Sequence, residues 1–350
     1  MVIVLARAGC VTPIGLSLAQ TAASFRAGIT RFRESHWRDL NGNPLVLATL
    51  PDGCLEALSW EQENDETLGP LRKRVLQLAR LGAFELEKPH AKLPLFLGLA
   101  AAQTAETENR AFLNHLAAVT GWPLDPAASR VIATGRASGL EALHQGCSLI
   151  RSGGADFVLV GGLDSFKDRP TLTRLDRDER LQCEGRLDGF IPGEGAGFLL
   201  LAEEAAARRL GYQPLAAVLA SATGFEEGHW FNREPYLGNG LSTTFQSLFE
   251  DLPRNQPPVA RVFSSFNGES YWAREWAIAY IRHKDRFQDT HHMEHPADCY
   301  GDLGAAGGPV LIALAAQAPA PTADLVYASS DGGHRAAVLL GPASNGAAHP

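Results

Sequence analysis

The segment Ala133-Thr134-Gly135-Arg136-Ala137-Ser138-Gly139 follows the apolar pair Val131-Ile132 and runs into a helix-like stretch from Leu140 to Ile150. An apolar strand, a glycine-bearing turn and a helix make the grammar of a nucleophile elbow. At its apex a side chain projects beside the first free N–H groups of the helix, where the positive end of the dipole favours a thiolate or an oxyanion. Arg136 occupies that apex, and a guanidinium gains nothing from such a field. A buried arginine must also be paired, since leaving it uncompensated costs several kcal/mol. Two readings follow: a clamp onto an internal carboxylate, which is the expectation, or an anchor for a carboxylate or phosphate ligand.

Other reactive side chains carry less. His291-His292-Met293-Glu294-His295 places three imidazoles and a carboxylate within five residues, but without H-E-x-x-H spacing or a helical context. It reads as an exposed loop before Pro296, and no metal is expected. Cys299 reads as a structural thiol, and Ser138 lacks the G-x-S-x-G setting of a serine nucleophile. Five cysteines without a C-x-x-C pair suggest neither a disulfide framework nor a zinc site. A reducing cytoplasm is the expected compartment.

The elements that must position Arg136 can be read along the chain. Apolar runs at Val2–Leu5, Leu93–Leu99, Ala155–Gly162 and Gly197–Ala202 predict buried strands, and Ser17–Arg26 and Pro70–Glu87 predict helices. Residues 30–68 read as irregular, and Asp164–Asp188 as a polar excursion that could cover a pocket mouth. A second series predicts strands at Leu215–Ala222, Val259–Ser265, Leu325–Ser329 and Ala336–Leu340. Helices are predicted at Gly240–Asp251, Glu269–Ile281 and Gly304–Ala316. Two rounds of strand and helix imply two α/β halves, residues 1–203 and 212–341, with mainly parallel sheets and a frayed tail over 342–350. With 350 residues there is ample volume for a core, and a net charge of −8 argues against a sequence-independent grip on nucleic acid or anionic lipid. Met1–Ala8 reads as a strand, not a signal peptide, and no segment approaches a membrane span.

Four motifs then resemble the β-ketoacyl-acyl carrier protein synthases, the condensing enzymes of the thiolase fold. Val11-Thr12-Pro13-Ile14-Gly15 is similar to their first turn. Arg186-Leu187-Asp188-Gly189-Phe190-Ile191-Pro192-Gly193-Glu194-Gly195-Ala196-Gly197 resembles their "R-D-G-F-x-x-G-E-G-A-G" run. Gly301-Asp302-Leu303-Gly304-Ala305-Ala306-Gly307 resembles "G-H-x-x-G-A-A-G", and Ser329-Ser330-Asp331-Gly332-Gly333-His334 the "S-F-G-F-G-G-x-N" loop. The resemblance implies a layered α/β/α/β/α sandwich of two similar halves and a dimer joined through the strand Arg130–Ala133. It also implies a catalytic cysteine and two histidines, whose positions here hold Arg136, Asn267 (in Phe266-Asn267-Gly268-Glu269) and Gly301. Condensation needs a thiolate to carry the acyl chain and donors to stabilise an enolate; these three residues supply neither, so no catalytic residue and no cofactor are expected. Glu269, Asp302 and Asp331 would lie on loops converging on the old pocket, with Arg136 clamping one of them, and Glu194 would be a structural anchor.

The expected function is therefore that of an inactive synthase-like scaffold, adaptor or chaperone binding another protein, as suggested for relatives encoded beside type VI secretion effectors. A chain-length-factor-like subunit, paired with an active synthase and its carrier protein, is the alternative. An enzyme with relocated chemistry is a third. A homo- or heterodimer is expected in either of the first two cases.

Overall fold

The computed structural model describes residues 1–86, 91–101, 106–250, 252–253 and 256–343. Its strands are β1 Ile3–Val11, β2 Arg33–Arg38, β3 Pro44–Leu47, β4 Leu95–Gly98, β5 Arg130–Ile132, β6 Phe157–Ser165, β7 Glu194–Glu203, β8 Ala216–Phe225, β9 Val259–Ser264, β10 Phe287–Glu294, β11 Ala323–Ser329 and β12 His334–Gly341. The helices are α1 Leu18–Arg26, α2 Trp60–Glu63, α3 Pro70–Ala83, α4 Glu106–Thr120, α5 Ser138–Arg151, α6 Arg169–Arg177, α7 Glu204–Arg209, α8 Asn239–Glu250, α9 Ser270–His283, α10 Ala297–Tyr300 and α11 Gly307–Gln317.

Ten strands form one continuous sheet in the order β10-β9-β11-β12-β8-β1-β7-β6-β4-β5, and β2 and β3 form a separate hairpin. Read outward from the centre, β1-β7-β6-β4-β5 and β8-β12-β11-β9-β10 follow the same plan. In each set the first strand is antiparallel to the fifth, the fifth to the fourth, and the remaining two neighbours are parallel. The two sets meet only where Ile3–Leu5 of β1 pairs with Ala216–Val218 of β8. The expectation of mainly parallel sheets is thus corrected: the central strands are antiparallel. A buried apolar run looks the same in either direction, so strand sense was not in the periodicity.

Helices α5 and α11 lie between the two sets. The first packs on β4 and β6 of one and on β8 and β12 of the other, and the second on β7 and β11. Helix α3 covers the outer face of β1, β6 and β7 and packs on α4, while α8 covers β8 and β12 and packs on α9. The result is five layers, and strands β6 and β7 are buried along nearly their whole length because helices lie on both faces. The middle layer is tight. A Cβ built on Gly139 of α5 would stand 2.3 Å from Pro309 Cδ of α11.

Several sequence expectations change in detail. Residues 30–68 hold the β2–β3 hairpin, a short 3-10 turn at Asp52–Cys54 and α2. The polar excursion contains α6, started by an Asp168 side chain that accepts from Thr171 N. Helix α3 stops at Ala83, and the helix expected from Gly304 begins as a 3-10 turn before α11. Helix α4 had not been read at all. His291–Glu294 are not a loop but the end of β10, the outermost strand, whose exposed Asp289 and Thr290 hide the apolar signal. The strand turns successive side chains to opposite faces, so His291 and His292 diverge and His291 packs on Tyr280 and Phe287. Among the described residues no group of three or more His, Cys, Asp or Glu side chains is placed to hold a metal ion. Of the expected frayed tail over 342–350, residues 344–350 lie outside the described residues.

Candidate functional site: a closed ionic cluster

Arg136 stands in the turn between β5 and α5. Gly135 enters that turn at φ 87°, a conformation that favours glycine, and Ser138 N donates to Gly135 O at 2.9 Å. Arg136 is buried, 6% exposed. Its Nε donates to Asp302 Oδ2 at 2.6 Å and its Nη1 to Asp331 Oδ1. The guanidinium also lies over the rings of Phe190 and Trp272, at 5.3 and 5.6 Å from their centroids. Next to it, Ala137 N donates to Ser330 Oγ at 2.8 Å, which ties the start of α5 to the β11–β12 turn.

A second arginine completes the cluster. Arg180, 1% exposed, grips Glu269 with Nε and Nη2 at 2.6 and 2.7 Å and reaches Asp331 Oδ2 with Nη1 at 2.7 Å. Trp230 covers its outer side at 4.2 Å. Asn267 joins the two halves of the network, since its Nδ2 donates to both Glu269 Oε2 and Asp302 Oδ2 at 2.9 Å. Trp272 Nε1 donates to the same Glu269 oxygen at 2.9 Å, and Gly304 N donates to Asp302 Oδ1 at 2.8 Å. Bidentate and charge-assisted contacts of this kind are the strong ones, and the cluster satisfies nearly every lone pair it buries.

Gly301 adopts φ 74° and ψ −171°, a region open essentially to glycine alone. A Cβ there would meet Ile191 O at 2.6 Å. No other residue type fits this position without moving the backbone. The cavity beside Arg136, lined in part by Phe266, Asn267, Tyr300 and Leu303, has a volume of about 20 Å³. That is room for one water molecule.

Glu194 lies outside this cluster. It begins β7 fully buried and accepts from Leu50 N at 2.7 Å, from Ser165 Oγ at 2.7 Å, and from Arg74 Nε and Nη2 at 2.5 and 2.6 Å. Its carboxylate thus fastens α3 and the segment around Leu50 to the sheet. Sequence reasoning missed Arg180, Asp164, Trp230 and Trp272. One signal was available: three acids had been gathered around a single guanidinium, so a second buried cation was required by charge balance alone.

Protonation follows from the geometry. Burial draws the Asp331 carboxyl upward, but Arg136 and Arg180 outweigh it and hold the group well below the usual carboxylate range. Burial likewise works against the charge of Arg136, and Asp302, Asp331 and Glu269 more than offset it, raising its pKa. Asp164, buried nearby, is pushed up to about 6 by desolvation, only partly relieved by the Ala305 and Ser165 N–H groups. The two aspartates therefore act on stability with opposite sign. Asp331 stabilises the fold above its unfolded value near ~3.9, and that contribution is lost as pH falls through its depressed folded value. Asp164 binds its proton more tightly when folded, so its contribution is complete below about pH 3.9 and is lost as pH rises through about 6. Urea midpoints measured across this range should show a decline between these values that Asp164→Asn flattens; parallel pH profiles for the two proteins would contradict the assignment. Three cysteines are poor nucleophiles: burial pushes the Cys10 and Cys147 thiols up to about 12 and raises that of Cys299.

Comparison with known proteins places this architecture. The beta-ketoacyl synthase N-terminal domain family matches residues 126–207, which include the elbow, Arg180 and Glu194. A pikromycin polyketide synthase component of Streptomyces venezuelae is 36% identical over 96 residues, covering 25% of this chain and 6% of its own length. The ketosynthase from module 6 of the bacillaene synthase of Bacillus subtilis 168 superposes with a TM-score of 0.78 at 13% identity, covering 98% of this chain and 72% of that one. Residues 126–207 resemble a β-ketoacyl synthase N-terminal domain, within a fold shared with ketosynthases. Its fold is the thiolase-like one of the ketosynthases, and the ishigamide ketosynthase/chain length factor superposes over 97% of this chain and 99% of its own at a TM-score of 0.72 and 20% identity. Among its described residues the chain has no helix long and apolar enough to cross a membrane.

Proposed function

We propose that this member of the ketosynthase family has given up condensation and works by binding another protein. The observation that carries the reading is Arg136, held by Asp302 and Asp331 beside a cavity of about 20 Å³. A guanidinium cannot be acylated, and a space of that size admits no thioester. Asn267 commits its amide to Glu269 and Asp302, and Gly301 has no side chain to donate. If these three stand where the family keeps its cysteine and histidines, neither acyl transfer nor decarboxylation has a catalyst. What remains is a rigid body with an exposed sheet edge at β5, where another chain can add. An adaptor or chaperone role, for a secretion effector or a similar client in the cytoplasm, fits a fold kept without its chemistry.

A second reading is favoured by the near-complete mutual coverage with the ishigamide ketosynthase/chain length factor. In that reading the chain is the non-catalytic half of a synthase heterodimer. Co-expression with the products of neighbouring genes separates the two, according to whether a synthase and carrier protein or an unrelated client co-purifies.

The test of inactivity is direct. Purified protein given acyl and malonyl thioesters is expected to release no carbon dioxide and form no ketoacyl product above a protein-free control. Arg136→Cys alone should not recover condensation, because the enolate donors remain absent. Turnover by the unaltered protein that disappears on replacing Cys299 or Ser138 would sink the proposal and point to relocated chemistry.

A further inference from the structure

Away from the ionic cluster, three segments border a cavity of about 270 Å³: the turn that ends at Leu16, the entry to β2 with Arg31 and Arg33, and the stretch 49–54. Its walls are fixed by the protein itself. Thr12 and Gly15 exchange backbone hydrogen bonds at 2.9 and 3.1 Å, and a Cβ on Gly15 would meet Thr21 N at 2.3 Å, so the turn is packed tightly on α1. Leu16 N donates to Gln20 Oε1 at 2.9 Å. Leu50 N donates to Glu194 Oε1 at 2.7 Å, and Leu50 O accepts from Arg74 Nη2 at 3.0 Å. Arg31 N donates to Cys299 O at 3.2 Å. A site built in advance loses little freedom when it binds.

The lining sets the ligand's chemistry. Ile14, Leu16, Leu50 and Pro51 supply apolar surface, Arg31 and Arg33 supply charge, and among the described residues no carboxylate lines the cavity. Asp52, next to this stretch in sequence, is engaged by Arg74 and Lys167 at 2.7 and 2.6 Å. Glu34 follows Arg33 on β2, where successive side chains turn to opposite faces. Among the described residues the side chains of Arg31 and Arg33 make no ion pair and no hydrogen bond. A guanidinium's planar fork matches a carboxylate or phosphate, and the apolar walls match hydrocarbon. We infer that this cavity is a binding site for a small amphipathic anion, its oxyanion head on Arg31 and Arg33 and its hydrocarbon body against Ile14, Leu16, Leu50 and Pro51. The volume lies just under the range usual for ligand pockets and suits a body of about six to eight carbons. The inference goes beyond the partner-binding role and does not depend on it.

The test uses the full chain and two probes of one plan with different heads, octanoate and hexyl phosphate, titrated by calorimetry and then located by cysteine protection. Cys54 lines the cavity and is half-buried, Cys183 is half-buried outside it, and Cys10, Cys147 and Cys299 are buried. Saturable binding of at least one probe is expected, with labelling of Cys54 by N-ethylmaleimide slowed roughly threefold or more and that of Cys183 unchanged. The tighter probe identifies the head group. The double variant Arg31→Gln, Arg33→Gln should weaken that binding roughly tenfold or more. Both positions are exposed, so its melting temperature without ligand should match the parent. The inference is overturned by no saturable binding of either probe, by 1-octanol, acetate or inorganic phosphate binding as tightly, by equal protection of Cys183, or by an unaffected double variant. Should Cys54 resist labelling in the free protein, the calorimetric effect of the double variant decides. The space of about 20 Å³ beside Arg136 admits neither probe, so this site and the proposed inactivity stand or fall separately.

Discussion

Replacing Arg136 by alanine is expected to destabilise the folded chain by about 3 kcal/mol or more, because it leaves buried Asp302 without its cation and half-buried Asp331 with one cation fewer. Removing one partner of a buried pair costs far more than the pair contributes, since the carboxylates keep their desolvation penalty and lose their counter-ion. Asn267 and Gly304 N would still hold Asp302, and Arg180 would still hold Asp331, so the fold should survive in a weakened form. Chemical denaturation midpoints give the measurement. An unchanged midpoint, with the alanine protein retaining the cluster's other bonds in a crystal, would mean that Arg136 is dispensable for stability and is kept to hold a ligand instead.

Arg180→Ala should be at least as damaging. Arg180 binds Glu269 through two nitrogens and shares Asp331 with Arg136, and it is the less exposed of the two cations. Its loss also removes the surface on which Trp230 rests. Because both arginines serve Asp331, the two substitutions should not be additive: once one cation is gone, the other carries more of the remaining charge. The double-mutant cycle should therefore show a coupling of about 1 kcal/mol or more. Strict additivity would show that the two guanidiniums act on separate sites despite their shared carboxylate.

Much of this arrangement could be read from the chain, for reasons that differ by residue. The elbow was legible because a strand, a positive-φ glycine and a helix leave local marks. Asp302 and Asp331 were legible because they sit in glycine-rich loops whose family resemblance brings distant segments together. Glu269 was legible at the pocket, but its partner Arg180 was not, since nothing local to Arg180 marks it as buried. It follows a helix rich in charged residues, Arg169–Arg177, and its burial comes from Phe190, ten residues on, and from Trp230 and Glu269, both distant in sequence. Strand direction and the polar edge strand β10 escaped for a related reason: tertiary neighbours, and not the residues themselves, decide which face is covered.

The matching strand plans of the two five-stranded sets give the cluster one further meaning. Arg136 and Arg180 belong to loops of the first set, and Asn267, Glu269, Asp302 and Asp331 to loops of the second. All the cations come from one repeat and all the anions they bind from the other. Between its two repeats the chain has a clasp with one sign of charge on each jaw. Neither repeat can shed the other without exposing an unbalanced cluster, so the molecule should melt as a single cooperative body, and any surface it offers a partner is held at fixed geometry by that clasp.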